Sequence, residues 1–187
     1  MRVLVFFTGL IFPVLSHAIE TPRYSVLESL SNSVEVRQYS EFTLARVKAE
    51  NLEKTSDNRF FRALADYIFG ANSRSEKIAM TAPVAQTMDK GKPKDMAFFL
   101  PRDLEVPPKP ENTNVELVKG KMTVAVIGYK GSWSIRKFEN AKRELEEVLL
   151  YHDTWKVVGD PIWARYNSPF SIPALRSNEV FIPVVRR

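Results

Sequence analysis

The run Arg165-Tyr166-Asn167-Ser168-Pro169-Phe170-Ser171-Ile172-Pro173-Ala174-Leu175-Arg176-Ser177-Asn178-Glu179-Val180, with Lys77-Ile78-Ala79-Met80-Thr81-Ala82-Pro83-Val84, is the most informative part of this chain. Neither segment contains a catalytic signature. The first joins strand-like residues to turns of Asn, Ser and Pro, and the second to Pro83, residues that fix φ or satisfy backbone groups locally. Strand-and-turn scaffolding of this kind predicts walls around a pocket, and so a protein that holds a ligand.

Working outward, period-2 patterning predicts strands over Tyr24 to Leu30, Val34 to Tyr39 and Phe42 to Ala49. The spacing then becomes helical over Asp57 to Phe69, where Phe60, Leu64 and Ile68 lie at i, i+4 and i+8 with Phe61 and Ala65 on the shoulder. Ser56 or Asp57 suits the N-cap, and Gly70 suits a left-handed stop. Strands follow at Ile78 to Met88 and Met96 to Leu100, joined by a polar turn from Asp89 to Asp95. The proline-rich stretch from Pro101 to Asn114 reads as a stiff surface connection at the midpoint of the domain.

The order then repeats: a strand at Met122 to Tyr129, a helix at Ile135 to Tyr151, and strands at Trp155 to Tyr166 and Glu179 to Val185. In the second helix Ile135, Phe138, Ala141, Leu145, Val148 and Leu149 form one apolar stripe. Ser134 as N-cap makes Trp133 and Phe138 a hydrophobic staple. This pattern of elements, without repetition of residues, predicts an α+β domain with a curved, mostly antiparallel sheet covered by two amphipathic helices.

Residues 1–18 are expected to be a signal peptide: Arg2, an apolar stretch from Val3 to Leu15, then Ser16-His17-Ala18 as a cleavage site. The mature chain would start at Ile19, be secreted or periplasmic, keep no membrane anchor, and form one domain over residues 19–187. The chain has no cysteine, which excludes a disulfide framework and thiolate-bound metal. Losing Arg2 lowers the formal charge from +5 by one, and the positive residues are dispersed except for Lys90, Lys92 and Lys94. No nucleic-acid partner is expected, since such a binder carries a basic stripe interleaved with aromatics. The size suits a monomer.

Gly-rich phosphate loops, nucleophile elbows and His-Glu-x-x-His pairs are all missing. Once His17 leaves with the leader, His152 is the single histidine. It falls at the end of the second helix, where an imidazolium suits the helix C-terminus, with iron ligation as the second reading.

Val34-Glu35-Val36-Arg37-Gln38-Tyr39, Phe61-Arg62-Ala63-Leu64-Ala65-Asp66-Tyr67-Ile68-Phe69-Gly70-Ala71-Asn72, Ile78 to Val84, Phe99-Leu100-Pro101 and the Tyr166-Asn167 to Asn178-Glu179-Val180 segment occur in an order and spacing that resemble the SOUL family of haem-binding proteins. The similarity runs from about Tyr24 to Ile182. It implies a distorted β-barrel of two β-α-β-β repeats and a shallow apolar groove for haem or another porphyrin beside the first helix. Carried over, the groove positions are Phe61, Leu64, Ala65 and Ile68, with Arg176 near the propionates. Phe61 and Ala65, on the shoulder of the core stripe, are the better pocket candidates. Two departures concern iron and charge: the mature N-terminal half has no histidine, and Ile172 stands where a family member has a basic residue. Iron would meet His152, a Tyr or a Met, or no strong protein ligand.

Burying roughly 400 Å² of porphyrin at about 25 cal/mol per Å² gives on the order of 10 kcal/mol gross, before association costs. Weak, reversible, non-covalent binding for carriage, buffering or sensing is the expectation. The alternatives are a haem-independent small-molecule effector-binding or protein-interaction module, and an enzyme acting on a tetrapyrrole. The last would need His152, Tyr39, Tyr67 or Glu179 in a groove.

Overall fold

The computed structural model describes residues 19–52 and 56–187. The expected leader, residues 1–18, lies outside the described residues. Among the described residues no helix is long and apolar enough to cross a membrane.

In chain order the elements are β1 (Tyr24–Ser29), β2 (Val34–Lys48), α1 (Asp57–Ile68), β3 (Val84–Asp89), β4 (Lys92–Pro93), β5 (Asp95–Phe99), β6 (Val115–Lys130), α2 (Ile135–Leu150), β7 (Trp155–Val157), β8 (Ile162–Arg165) and β9 (Ser177–Arg186). Single 3₁₀ turns occupy Ala49–Asn51 and Pro173–Leu175. Six strands close a barrel in the order β2-β5-β3-β8-β9-β6, with β6 returning to β2, and every pairing is antiparallel. Strands β1, β4 and β7 lie alongside it. The expected α+β barrel with two helices is the observed fold.

Each half follows one rule. The strand before the helix pairs with the last strand, which pairs with the first strand after the helix: β2-β5-β3, then β6-β9-β8. Equivalent strands then join the halves, β2 with β6 and β3 with β8. Closure leaves no free edge among these six strands, which removes the usual hazard of an open sheet.

Three strands differ from their sequence patterns. Val34 to Lys48 is one strand, carrying a bulge between Tyr39 and Phe42. The extra residue inverts the phase: Val34 and Val36 pack under α2, whereas Ala45 and Val47 pack under α1. Alternation broken in this way resembles two short strands. Residues Ile78 to Pro83 are not a strand. Their backbone groups bond to other segments, Ile78 N–H to Ile68 O and Ala82 N–H to Glu20 O, and Pro83 has no N–H to donate. Trp155 to Tyr166 is broken into β7 and β8, because Gly159-Asp160-Pro161 interrupts the ladder.

The helices cover the outside of the barrel. Ser56 caps α1 by accepting from Arg59 N–H, and the helix ends in a Schellman motif at Gly70 (φ 121°), with Ala71 N–H donating to Asp66 O. Phe60, Ala63, Leu64, Tyr67 and Ile68 of α1 are buried, in one cluster with Ala45, Val47, Met96 and Phe98. In α2, Phe138, Ala141, Leu145 and Leu149 are buried in a second cluster with Val34, Val36, Ala125, Ile127 and Val180. Ile135, placed in that stripe by its spacing, is 46% exposed because it opens the helix beyond the sheet's cover. Inside the barrel, Tyr39, Val124, Val126, Ala164 and Phe181 make a third cluster.

An ion pair crosses the interior end of the barrel. Arg37 Nη1 donates to both Glu179 oxygens at 3.0 and 3.1 Å, and Tyr166 Oη donates to Glu179 at 2.5 Å. Burial pushes the neighbouring Tyr39 hydroxyl up to about 12, with the Arg37 hydrogen bond opposing the rise. Below pH 10 both folded and unfolded chains keep that proton, so its contribution is fully present. Above pH 10 the unfolded chain loses the proton first, so stability falls until about pH 12, by on the order of 2 kcal/mol. Urea unfolding should therefore lose stability over that window in the wild-type chain, and less steeply in Tyr39→Phe. Equal slopes would contradict a buried neutral Tyr39.

Candidate functional site

The exposed flank of α1 carries Asp57, Phe61, Ala65 and Phe69, four residues apart and so aligned on one side. Phe61 is 40% and Phe69 65% exposed, and Ala65 is half-buried. The Phe61 ring meets Phe98 edge-on, with centroids 5.3 Å apart. Leu64 and Ile68, named with them from sequence, lie on the adjoining face and are buried in the core below.

Asp57, at the first turn of α1, holds the flank to the barrel. Its carboxylate accepts from Arg165 Nη1 at 3.0 Å and from Gln86 Nε2 at 2.8 Å. Arg165 is 7% exposed, and its guanidinium carbon lies 5.3 Å from the ring centres of both Trp133 and Trp163. Because Trp133 precedes α2, Arg165 connects the starts of both helices. Arg176 lies over the other side of this junction, its guanidinium carbon 4.2 Å from the Trp133 ring centre. It also donates from Nε to Ser171 O at 3.2 Å and from Nη2 to Pro169 O at 2.6 Å. Asn178 fixes the base of the loop by donating from Nδ2 to Gly131 O at 3.0 Å.

Contacts thus run from Asp57 through Arg165 and Trp133 to Arg176. Beyond Arg176 the β8–β9 loop displays Phe170, Ile172 and Leu175, which are all exposed. The arrangement is an open apolar ledge bordered by cations. His152 is not brought to it. That residue follows the far end of α2, a 16-residue helix about 24 Å long, whose near end is at Trp133. Among the described residues no group of three or more His, Cys, Asp or Glu could hold a metal ion. Met88 and Met96 are buried, and Met80 and Met122 are partly buried.

Two concave spaces lie elsewhere. One, of about 680 Å³, is lined by Glu20 to Arg23, the β2 bulge at Ser40 and Glu41, the Phe99 to Arg102 turn and Lys119 to Lys121. Sequence reasoning missed it, since no motif links these separated segments. The break in alternation at Ser40-Glu41 was the available signal. The other, of about 370 Å³, opens beside Tyr129, Tyr166, Asn178 and Glu179. Of the four residues an enzymatic reading requires, only Glu179 lines either space. Its carboxylate is already engaged by Arg37 and by the Tyr166 hydroxyl, which burial and the Glu179 charge hold far above the ordinary tyrosine range.

Residues 19–183 match the profile of a family described as "SOUL heme-binding protein". Heme-binding protein 2 of Homo sapiens is 28% identical over 181 residues, covering 89% of this chain and 87% of the human protein. Heme-binding protein 2 of Mus musculus is 27% identical over 179 residues, covering 88% of this chain and 86% of the mouse protein. Among solved structures, the EcmrR C-terminal domain superposes with a TM-score of 0.58 at 14% identity, over 82% of this chain and 98% of that domain. A hydrolase from Listeria innocua gives 0.54 at 11% identity, over 82% and 92%. At such identities the two structures establish a shared fold.

The split of α1 into a core face and a ledge face has a measurable consequence. Leu64→Ala should cost about 2–5 kcal/mol in urea unfolding, and Phe61→Ala less than about 1.5 kcal/mol. Equal losses would place both residues in the core.

Proposed function

The chain belongs to the SOUL heme-binding family, and we propose that it binds haem or a related tetrapyrrole, non-covalently and reversibly, on the ledge between α1 and the β8–β9 loop. The observation that carries this reading is the exposed Phe61-Ala65-Phe69 flank of α1, on the helix whose first turn is tied through Asp57 and Arg165 to the Trp133-Arg176 stack. A flat apolar macrocycle suits an aromatic flank backed by a rigid core, and its carboxylates suit the cationic border. Arg176 uses two of its N–H groups on loop carbonyls, which holds the loop in place and leaves further donors for a ligand.

Haem supplies iron when bound, and His152, the histidine considered as its ligand, is at the other end of α2 from Trp133. Affinity then rests on apolar contact and charge, in the micromolar range by the area estimate above. Such binding suits a monomeric carrier, buffer or sensor better than a catalyst. The leader over residues 1–18 would place this work outside the cytoplasm. The roughly 680 Å³ space near Phe42, Phe99 and Gly120 favours a second reading, a haem-independent small-molecule site on the same barrel.

Haemin titration followed by Soret absorbance distinguishes the two. The ledge reading expects saturable one-to-one binding, weakened at least about tenfold by Phe61→Asp and retained in Phe42→Asp and His152→Ala, a tenfold change being about 1.4 kcal/mol. Loss in Phe42→Asp alone, with unchanged thermal unfolding, would move the ligand to the second site. Absence of saturable binding in the wild-type chain would end the tetrapyrrole reading. Mass measurement of the exported protein should give Ile19 as its first residue, and retention of Met1 would contradict export by cleavage.

A further inference from the structure

The β8–β9 loop carries apolar side chains that nothing in this chain covers. Phe170 is 97% exposed, and Ile172 and Leu175 are exposed on the same loop. Single apolar residues on a surface are ordinary, but three within six positions of one loop make a patch. Entry of such a patch into an apolar phase depends on its backbone, because N–H and C=O groups find no water there. This tip is largely closed on itself. Ser168 accepts from Phe170 N–H on its hydroxyl at 3.2 Å and from Ser171 N–H on its carbonyl at 3.0 Å. Leu175 N–H donates to Ile172 O at 3.0 Å, and Arg176 N–H donates to Pro173 O at 3.4 Å. Pro169 and Pro173 have no N–H to satisfy, and the Arg176 guanidinium takes the carbonyls of Pro169 and Ser171.

The charge beside the loop is of one sign. Gly131 N–H donates to Arg176 O at 2.9 Å, which sets the β6–α2 turn against the loop. Lys130 donates from Nζ to Ser177 Oγ, the Lys137 ammonium lies against Gly131, and the exposed Arg136 precedes it. None of these three cations is in an ion pair among the described residues. No Asp or Glu occurs between Glu116 and Glu139, or between Asp160 and Glu179, the two stretches that supply the turn and the loop. The neighbouring acids are engaged: Asp57 by Arg165, Glu139 by Lys142 and Glu179 by Arg37. Apolar side chains on a tip whose backbone bonds are made, with cations set back beside it, complement a bilayer surface bearing anionic headgroups. Such a tip offers a protein partner few backbone groups for pairing.

We propose that the β8–β9 loop is a peripheral membrane-docking site, with Phe170, Ile172 and Leu175 entering the interface of an anionic bilayer and Lys130, Arg136 and Lys137 meeting its headgroup phosphates. Apolar entry and basic contact are each weak, and together they give reversible docking without an anchor. Arg176 has a different part here: it holds the tip closed from within. The docking stands apart from the tetrapyrrole reading and goes beyond it.

Because the chain has no cysteine, Ala174→Cys and a control, Asp89→Cys, each take a single environment-sensitive fluorophore in protein purified from cells expressing the full chain. Val84 of β3 pairs with Arg165, where β8 leaves for the loop, and Asp89 ends β3 at its other end. The probes are vesicles of phosphatidylglycerol mixed with phosphatidylcholine, and vesicles of phosphatidylcholine alone, with no tetrapyrrole added. Docking predicts a saturable blue shift of the Ala174 label on the anionic vesicles and none of the Asp89 label. Binding should weaken at least about tenfold on phosphatidylcholine alone or in the Lys130→Gln/Arg136→Gln/Lys137→Gln variant, and should fall as salt rises from about 0.1 to about 0.5 M. Phe170→Ser/Ile172→Ser should abolish the shift with thermal unfolding unchanged, since both side chains are exposed. Equal shifts of the two labels, or a shift that survives Phe170→Ser/Ile172→Ser, would overturn the proposal. So would a shift without vesicles that grows with protein concentration, which would give the loop to a second copy of the chain. No shift on anionic vesicles would end the docking reading and leave the tetrapyrrole reading untouched.

Discussion

One buried guanidinium ties the starts of both helices to the barrel. Arg165 stands on β8, where the two repeats meet, and it bonds to Asp57 at the start of α1 while lying between the rings of Trp133 and Trp163. A guanidinium with little access to water is costly unless its donors and its faces are occupied. Here the carboxylate, the two indoles and the adjacent Gln86–Asp57 bond supply that environment. The contact therefore sets both helix starts relative to the barrel and to each other.

The barrel makes such a junction possible. Joining β3 to β8 and β2 to β6 places equivalent parts of the two repeats side by side. Both helices consequently lie outside the barrel, each over its own apolar cluster, and the seam between them is where polar residues can gather. The interior has its own charge pair, Arg37 with Glu179, so the binding face carries none of the interior's charge. The interior itself is packed by Tyr39, Val124, Val126, Ala164 and Phe181.

Much of this was legible because the two helices have clean 3.6-residue stripes and the repeat order of elements is plain. Phe61 and Ala65 could be separated from the core stripe by angle alone, and the structure puts Leu64 and Ile68 beneath them. Arg176 was named through the motif around it. Its hold on Trp133 was not, since stacking between residues 43 positions apart in the chain depends on closure of the barrel. The bulge in β2 hid one strand as two, and with it the concave space of about 680 Å³ beside Ser40 and Glu41. Arg165, Asp57 and Gln86 carry no pattern at all: a charged residue at the end of a strand reads as exposed until the helix that buries it is in place. Ser134 is the N-cap of α2 as its position suggested, although its side chain makes no cap bond.

The central claim is that an apolar, acid-bearing macrocycle lies across α1 and the β8–β9 loop. Mapping amide and indole NMR shifts on addition of iron-free protoporphyrin tests it most directly, without any contribution from metal ligation. The account predicts that perturbations concentrate at Phe61, Ala65, Phe69, Trp133 and residues 168–176. Perturbations centred instead on residues 20–23, 40–43 and 119–121 would contradict it and place the ligand in the larger space near the β2 bulge.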